Sequence, residues 1–312
     1  MTEETTKRDR HGNAFNLRPI SCPTCGPVGE TFMGFRGGAH QRNGEGVETR
    51  IVACKGCGLI YPNPFPFPES PQTIYGDPVE YFRDHVLDAK IEYYRGLSKE
   101  ISQRCAISDP LMLDVGAGRG DFMQAAKLEG FTRVDGLELS EATVAFAKKE
   151  FGLDILPLTI EEYAKQTDKK YDAIVLNAVL EHVHNPDSFM AAVSKLATQA
   201  AVVYLDIPNE PSLLTTVANT VNRIRGRRSV MNLQPTWEPY HVFGFNRRAL
   251  GALLAKHGFE LETVRVYAGI QHLPRAGLVS TVKAIGVEQL MRLANATGTA
   301  SNMYVWARRK CD

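Results

Sequence analysis

The 312-residue chain has no run of 18 consecutive apolar residues, so no segment of it reads as a membrane-crossing helix. Its first ten residues, Met1 to Arg10, are polar and charged and lack an apolar centre, which predicts no secretory leader and a cytoplasmic location. Charge of one sign is missing too: 36 Lys and Arg face 35 Asp and Glu, a formal net charge of +1. That balance counts against a partner held by bulk charge, nucleic acid above all, and leaves only a local basic patch open. Internal repeats are absent. Cysteine is scarce, with six residues at positions 22, 25, 54, 57, 105 and 311. Four of them form two close pairs, which without a leader read as metal ligands before disulfides. With 44% hydrophobic residues, the chain has ample material for a core without covalent staples.

The pairs are near-copies, Cys22-Pro23-Thr24-Cys25-Gly26 and Cys54-Lys55-Gly56-Cys57-Gly58, with 28 residues between them. Each Cys-x-x-Cys turn sets two thiolates side by side, and the glycine after it lets backbone N–H groups face the sulfurs. Two such knuckles make a closed tetrahedron of four thiolates, the ligand set of structural zinc, with no open position for catalysis. Glu30–Phe35 and Thr49–Ala53 are expected to form the hairpin of a zinc ribbon over residues 21–60. Residues 1–20 read as a disordered lead. Pro62, Pro64, Pro66, Pro68 and Pro71 make the next stretch extended and stiff, a linker. A helix over Val79–Arg104, carrying Tyr81, Tyr93 and Tyr94, completes residues 61–104. Tyr75 and Tyr81 are expected to pack this piece onto the following domain. Cys105 and Cys311 read as a helix-packing and a tail residue.

From Leu111 onward, short apolar runs alternate with helical patterns. Strands are expected at Leu111–Val115, Val134–Leu137, Ala173–Leu176, Ala201–Leu205, Glu260–Tyr267 and Asn302–Arg308, and helices at Asp121–Glu129, Glu141–Phe151, Asp187–Leu196 and Arg247–His257. Parallel neighbours need crossovers, so residues 105–312 read as an α/β, doubly wound, mostly parallel sheet. At the end of the first of these strands stands Leu113-Asp114-Val115-Gly116-Ala117-Gly118-Arg119-Gly120. Gly116 and Gly118 let the backbone turn sharply and a ligand come close. Glu138 lies 20 residues past Gly118, at the next strand end, where a carboxylate accepts both hydroxyl hydrogens of a ribose. A dinucleotide fingerprint needs Gly or Ala where Asp121 stands, so the loop suits a ligand without a pyrophosphate.

These residues resemble the class I S-adenosylmethionine-dependent methyltransferases. The first motif is the glycine loop, and the second is Gly136-Leu137-Glu138-Leu139-Ser140. The fourth-strand motif is Tyr171-Asp172-Ala173-Ile174-Val175-Leu176-Asn177-Ala178-Val179-Leu180-Glu181-His182-Val183, and Asp206-Ile207-Pro208-Asn209 follows the fifth. The resemblance covers roughly residues 105–309 and implies a seven-stranded methyltransferase sheet behind the small four-cysteine zinc ribbon, with a cap insertion at about 209–245. It implies S-adenosyl-L-methionine as cofactor, with Gly116 and Gly118 at its methionine end and Glu138 on the ribose. Thr159, Ile160 and Glu161 would lie by the adenine, Asn177 and Ala178 beside the sulfonium, and Asp114 would organise the loop.

Methyl transfer needs in-line placement of the acceptor and a place for its proton. Of eight histidines, His182, after the fourth strand, and His241, in the cap, are the candidate bases. His184, His257 and His272 read as surface residues. The ubiquinone-pathway O-methyltransferases carry a similar Glu-His pair, with a further acid where this chain has Ala178, so no metal site like theirs is expected. The chain resembles the deoxysugar C-methyltransferases better, which also set a four-cysteine module first and place histidines after the fourth strand and in the cap. It departs from them at Tyr240, where they carry glutamate, and lacks their further C-terminal domain. Arg223, Arg225, Arg227 and Arg228 cluster in the cap, where guanidinium forks suit diphosphate oxygens, although a solvated basic loop is the commoner explanation. The expected acceptor is a small molecule: a nucleotide-sugar, glycan precursor or secondary metabolite. The alternatives are an RNA methyltransferase whose ribbon reads RNA through Arg36, Arg42, Arg50 and Lys55, and a non-catalytic scaffold.

Overall fold

The computed structural model describes residues 5–70, 87–269 and 277–310. The chain opens with β1 (Thr5–Arg8), β2 (Ala14–Arg18), β3 (Glu30–Arg36), β4 (Thr49–Cys54), β5 (Ile60–Pro62) and β6 (Phe65–Pro68). Then come α1 (Leu87–Cys105), β7 (Met112–Val115), α2 (Asp121–Leu128), β8 (Val134–Leu137), α3 (Glu141–Phe151), β9 (Ile155–Leu156), α4 (Ile160–Gln166) and β10 (Tyr171–Asn177). The last elements are α5 (Pro186–Leu196), β11 (Ala197–Pro208), α6 (Leu213–Ile224), α7 (Arg247–Lys256), β12 (Phe259–Tyr267), α8 (Leu278–Thr297) and β13 (Asn302–Arg309). Among the described residues, no helix is long and apolar enough to cross a membrane.

Seven strands form one sheet in the order β12-β13-β11-β10-β7-β8-β9. Within it β10, β7, β8 and β9 are parallel, with Ala173 opposite Met112, Asp114 opposite Gly136 and Gly136 opposite Ile155. Met112–Val115, Ala173–Leu176 and Ala201–Leu205 are buried, because central parallel strands are covered on both faces and so read as unbroken apolar runs. From β7 the chain moves outward through β8 to β9, then returns to β10 on the other side of β7. That reversal opens a crevice beyond the carboxyl ends of β7 and β10, where open α/β sheets bind their ligands. Local polar residues set the helix starts: Ser140 caps α3, Asn185 caps α5 ahead of Pro186, and Ser212 caps α6.

The chain divides into two compact units, one of Met1–Glu69, Asp206–Ala252 and Val264–Tyr304, the other of Ser70–Leu205, Leu253–Thr263 and Val305–Asp312. The first unit contains two three-stranded sheets, β1-β2-β6 and β3-β4-β5. The second sheet is the expected ribbon hairpin with β5 added, antiparallel throughout and bulged between Phe32 and Gly34. Residues 5–18, expected as a disordered lead, instead form β1 and β2, and the expected proline linker contributes β6. The prolines fit because they alternate: in a strand, residues 65, 67 and 69 send their N–H groups one way and Pro66 and Pro68 face the other. The Glu69 N–H accordingly donates to Ala14 O at 2.9 Å, and β6 is an edge strand.

Residues far along the chain complete this unit. Ile60 and Gly244 exchange backbone bonds of 3.0 and 2.8 Å. The Phe35 N–H donates to Arg228 O at 2.9 Å, and the Val230 N–H to Phe35 O at 3.0 Å. A Cβ at Gly34 would stand 2.5 Å from Arg228 O, so only glycine admits this approach. Val230 and Leu233 then share a core with Ile51 and Ile60. Tyr75, Tyr81, His272, Cys311 and the first part of the expected Val79–Arg104 helix lie outside the described residues.

Candidate functional site

The glycine loop leaves β7 at the crevice. Gly116 has φ of 70°, and a Cβ there would stand 2.6 Å from Val179 Cγ2, so position and conformation both require glycine. The Ala117 N–H donates to Leu137 O at 2.8 Å, tying the loop to the end of β8. Glu138 follows: its Oε2 accepts the Gly118 N–H at 3.0 Å and its Oε1 the Ser140 N–H at 2.9 Å. Two backbone donors thus fix the carboxylate, and each oxygen keeps acceptor capacity for a hydroxyl. This is the fit expected of a ribose carboxylate. Asp114 is buried under the loop, and burial, then the charges of Glu138 and Asp121, push its carboxyl up to about 8. Asp121 itself pairs with Arg119 at 2.8 Å.

Thr159 and Ile160 stand at the start of α4. The Thr159 hydroxyl accepts the Glu162 N–H at 3.1 Å while Glu162 accepts the Thr159 N–H at 2.9 Å, a capping box, and Ile160 is buried. Asn177 ends β10, and its side-chain amide donates to the Tyr94 hydroxyl. Ala178 follows with φ of 53°, a left-handed conformation that costs a residue with a Cβ and that clusters at ligand sites. Tyr94 of α1 is legible in the sequence only as a helical aromatic. It is nearly buried and meets Phe122 of α2 edge-on at 6.0 Å, so packing aims its hydroxyl at Asn177.

His182 closes a short turn over Leu180–His182, its Nε2 3.8 Å from the buried Glu181 carboxylate. Asp114, Gly116, Gly118, Glu138, Thr159, Ile160, Asn177, Ala178 and His182 all belong to the second unit. His241 belongs to the first unit, where its carbonyl accepts the Gln234 N–H at 3.1 Å. Two other histidines differ from their expected surface role. His257 Nε2 lies 2.8 Å from an Asp187 carboxylate oxygen with little exposure, and His184 is largely enclosed, which lowers its pKa. Cys105 is half-buried, its thiol donating to Asp172 O at 3.4 Å and pushed up to about 11 by burial.

The four paired cysteines converge. Their sulfurs lie within 4.8 Å of one another, and Cys22 Sγ stands 3.7 Å from Cys57 Sγ. Four sulfurs at about 2.3 Å from a central zinc would be about 3.8 Å apart, whereas a disulfide needs about 2.05 Å. Gly26 and Gly58 close the knuckles, donating to Cys22 O at 2.8 Å and Cys54 O at 2.9 Å. Donation from Cys57 lowers the Cys22 thiol, and Cys57 is raised in turn by the same contact and by burial. Thiols this close share protons or a cation, and the donor set fits zinc.

A family model for a methyltransferase domain matches residues 86–264, more than half of the chain. The chain belongs to that family of methyltransferase domains. The match takes in α1, which by sequence alone groups with the linker. Its relatives include a ubiquinone biosynthesis O-methyltransferase of Dechloromonas aromatica, 32% identical over 114 residues, 35% of this chain and 49% of that protein. Another, from Pseudomonas savastanoi pv. phaseolicola, is 28% identical over 197 residues, 62% of this chain and 81% of that protein. Against the first of these, the chain spans about half of the relative's length. In fold it is similar to a SAM-dependent methyltransferase from Archaeoglobus fulgidus, with a TM-score of 0.50 and 18% identity over 74% of this chain and 97% of that one. Both of these relatives are O-methyltransferases.

Proposed function

We propose that the chain transfers a methyl group from S-adenosylmethionine to a small-molecule acceptor, a sugar, glycan precursor or secondary metabolite. The observation that carries this reading is the Glu138 carboxylate, fixed by Gly118 and Ser140 beside a glycine loop at the sheet's switch point. The cofactor supplies an electrophilic methyl on a sulfonium that departs as a neutral thioether. Gly116 and Gly118 make room for its methionine end, Glu138 holds the ribose, Thr159 and Ile160 line the adenine, and Asn177 and Ala178 face the sulfonium. Asp114 supports the loop from beneath. His182 and His241 are the candidate bases that take the acceptor's proton as its nucleophilic atom gains the methyl group. Cys22, Cys25, Cys54 and Cys57 hold a structural zinc that braces the ribbon. The functional division is a ribbon at 21–60 and a transferase domain at 105–312 whose cap, about 209–245, faces the acceptor. The names of the relatives favour an oxygen acceptor as the second reading.

The test is incubation of the purified protein with methyl-labelled S-adenosylmethionine and a cell extract split into metabolites and RNA. Label in the metabolite fraction is expected. Label in RNA would turn the ribbon into an RNA reader, and silence with no cofactor bound would leave a scaffold.

A further inference from the structure

One cleft lies wholly within the first unit, between β3 and the end of α6 with its following loop. It is an open cleft of about 350 Å³, and Phe32, Gly34, Asn219, Arg223, Arg227 and Arg228 are among its lining residues. Its charge is uncompensated. Among the described residues, Arg223, Arg225, Arg227 and Arg228 form no ion pair with a carboxylate, as Arg42, Arg247 and Arg292 also do not; what sets them apart is that three of them line one cleft. The Arg228 guanidinium instead lies over two rings, 5.7 Å from the centre of Phe32 and 5.1 Å from that of Phe35. Such stacking orients the planar fork and leaves its N–H groups for an anion.

The loop that carries these arginines is held by its own bonds. The N–H groups of Gly226 and Arg227 donate to Arg223 O and Asn222 O at 2.9 Å each, and the Asn222 amide reaches Ser229 O at 3.1 Å. Beneath it, Asn219 accepts the Met231 N–H at 2.8 Å and donates to Asn232 at 2.7 Å. One arginine at the end of α6 would answer the helix dipole. Three on one cleft wall, with the backbone braced and an aromatic ring half-exposed beside them, exceed that need.

We propose that this cleft binds a phosphate-bearing small molecule, with Arg223, Arg227 and Arg228 on a diphosphate and Phe32 against its planar or apolar part. The proposal rests on the cleft alone and is tested apart from the methyl-transfer reading above.

The experiment titrates the full-length, zinc-loaded protein with inorganic pyrophosphate and with uridine diphosphate by calorimetry, and in parallel with S-adenosylhomocysteine. The wild type is expected to bind both phosphates, uridine diphosphate the more tightly. Arg223→Gln with Arg227→Gln should weaken both about ten-fold or more, Phe32→Ala only uridine diphosphate, and Arg225→Gln, outside the cleft, less than about two-fold. Unchanged unfolding transitions in scanning calorimetry show that each variant is folded in both units. No phosphate binding, or equal losses from Arg225→Gln and the cleft variants, would overturn the proposal. Loss of S-adenosylhomocysteine binding in the wild type would sink the methyl-transfer reading instead. Two further arms separate other sources of phosphate. Arginine-dependent sedimentation with phosphatidylglycerol vesicles would assign the patch to a lipid surface, which the exposed Leu214, Val217, Val221 and Ile224 of α6 would assist. Tighter, steeply salt-dependent binding of a short RNA would assign it to nucleic acid. Either result overturns a small-molecule site.

Discussion

At the scale of single residues, Glu138 accepts two backbone N–H groups and keeps acceptor capacity on each oxygen, where the proposed function sets the ribose hydroxyls. Each hydroxyl bond to a charged carboxylate contributes on the order of 1.5–3 kcal/mol. Glu138→Gln keeps the shape and removes the charge, so calorimetry should show S-adenosylhomocysteine bound about ten-fold more weakly or worse. Unchanged affinity would move the ribose elsewhere. His182→Ala and His241→Ala should each lower turnover about 100-fold while leaving that affinity intact, and a wild-type rate would dismiss the residue as base. Glu210 was not legible in the sequence, because Asn232 and Arg36 come to it from distant positions. It accepts bonds from Asn232 and Thr215 and feels the charge of Arg36, yet burial outweighs them and lifts it to about 7 from an ordinary 4.5. The folded chain therefore holds a proton that the unfolded chain releases, and stability present below about 4.5 is lost as pH rises through about 7. Chemical denaturation should show Glu210→Gln less pH-dependent than the wild type between pH 5 and 8, by on the order of 3 kcal/mol.

At the scale of elements, β6 shows how an edge strand hides in a sequence. Its alternate prolines imitate a linker, yet Phe65 is fully buried and packs 4.9 Å from Phe67 and 5.4 Å from Phe243. Phe65→Ala should cost about 3–5 kcal/mol, read from the urea midpoint; a loss below about 1 kcal/mol would contradict the packing. The central strands were legible to within a few residues, since both faces of β7, β10 and β11 are covered and their apolar runs are unbroken. The glycine loop and Glu138 were legible because they follow such strands directly. β1, β2 and α6 were not. β1 is exposed and polar, and α6 turns the apolar row Leu214, Val217, Val221 and Ile224 outward, so neither marks a core.

At the scale of the whole molecule, the sequence separates a ribbon from a cap, and the structure gathers Met1–Glu69 and Asp206–Ala252 in one compact unit. More than a hundred residues intervene, and no local pattern announces the pairing of Phe35 with Arg228 and Val230. Metal removal should therefore be felt well beyond the four cysteines. Calorimetry with a chelator is expected to lower a first unfolding transition while S-adenosylhomocysteine binding persists, and an unchanged trace would take the metal out of the architecture. The proposed grip of Glu138 on the ribose has its own consequence in the cell. It falls on the part of the cofactor that methyl transfer leaves unaltered, so spent cofactor should linger almost as long as fresh. Turnover should then follow the ratio of the two in the surroundings, and an enzyme that destroys S-adenosylhomocysteine should set the pace as firmly as the acceptor does.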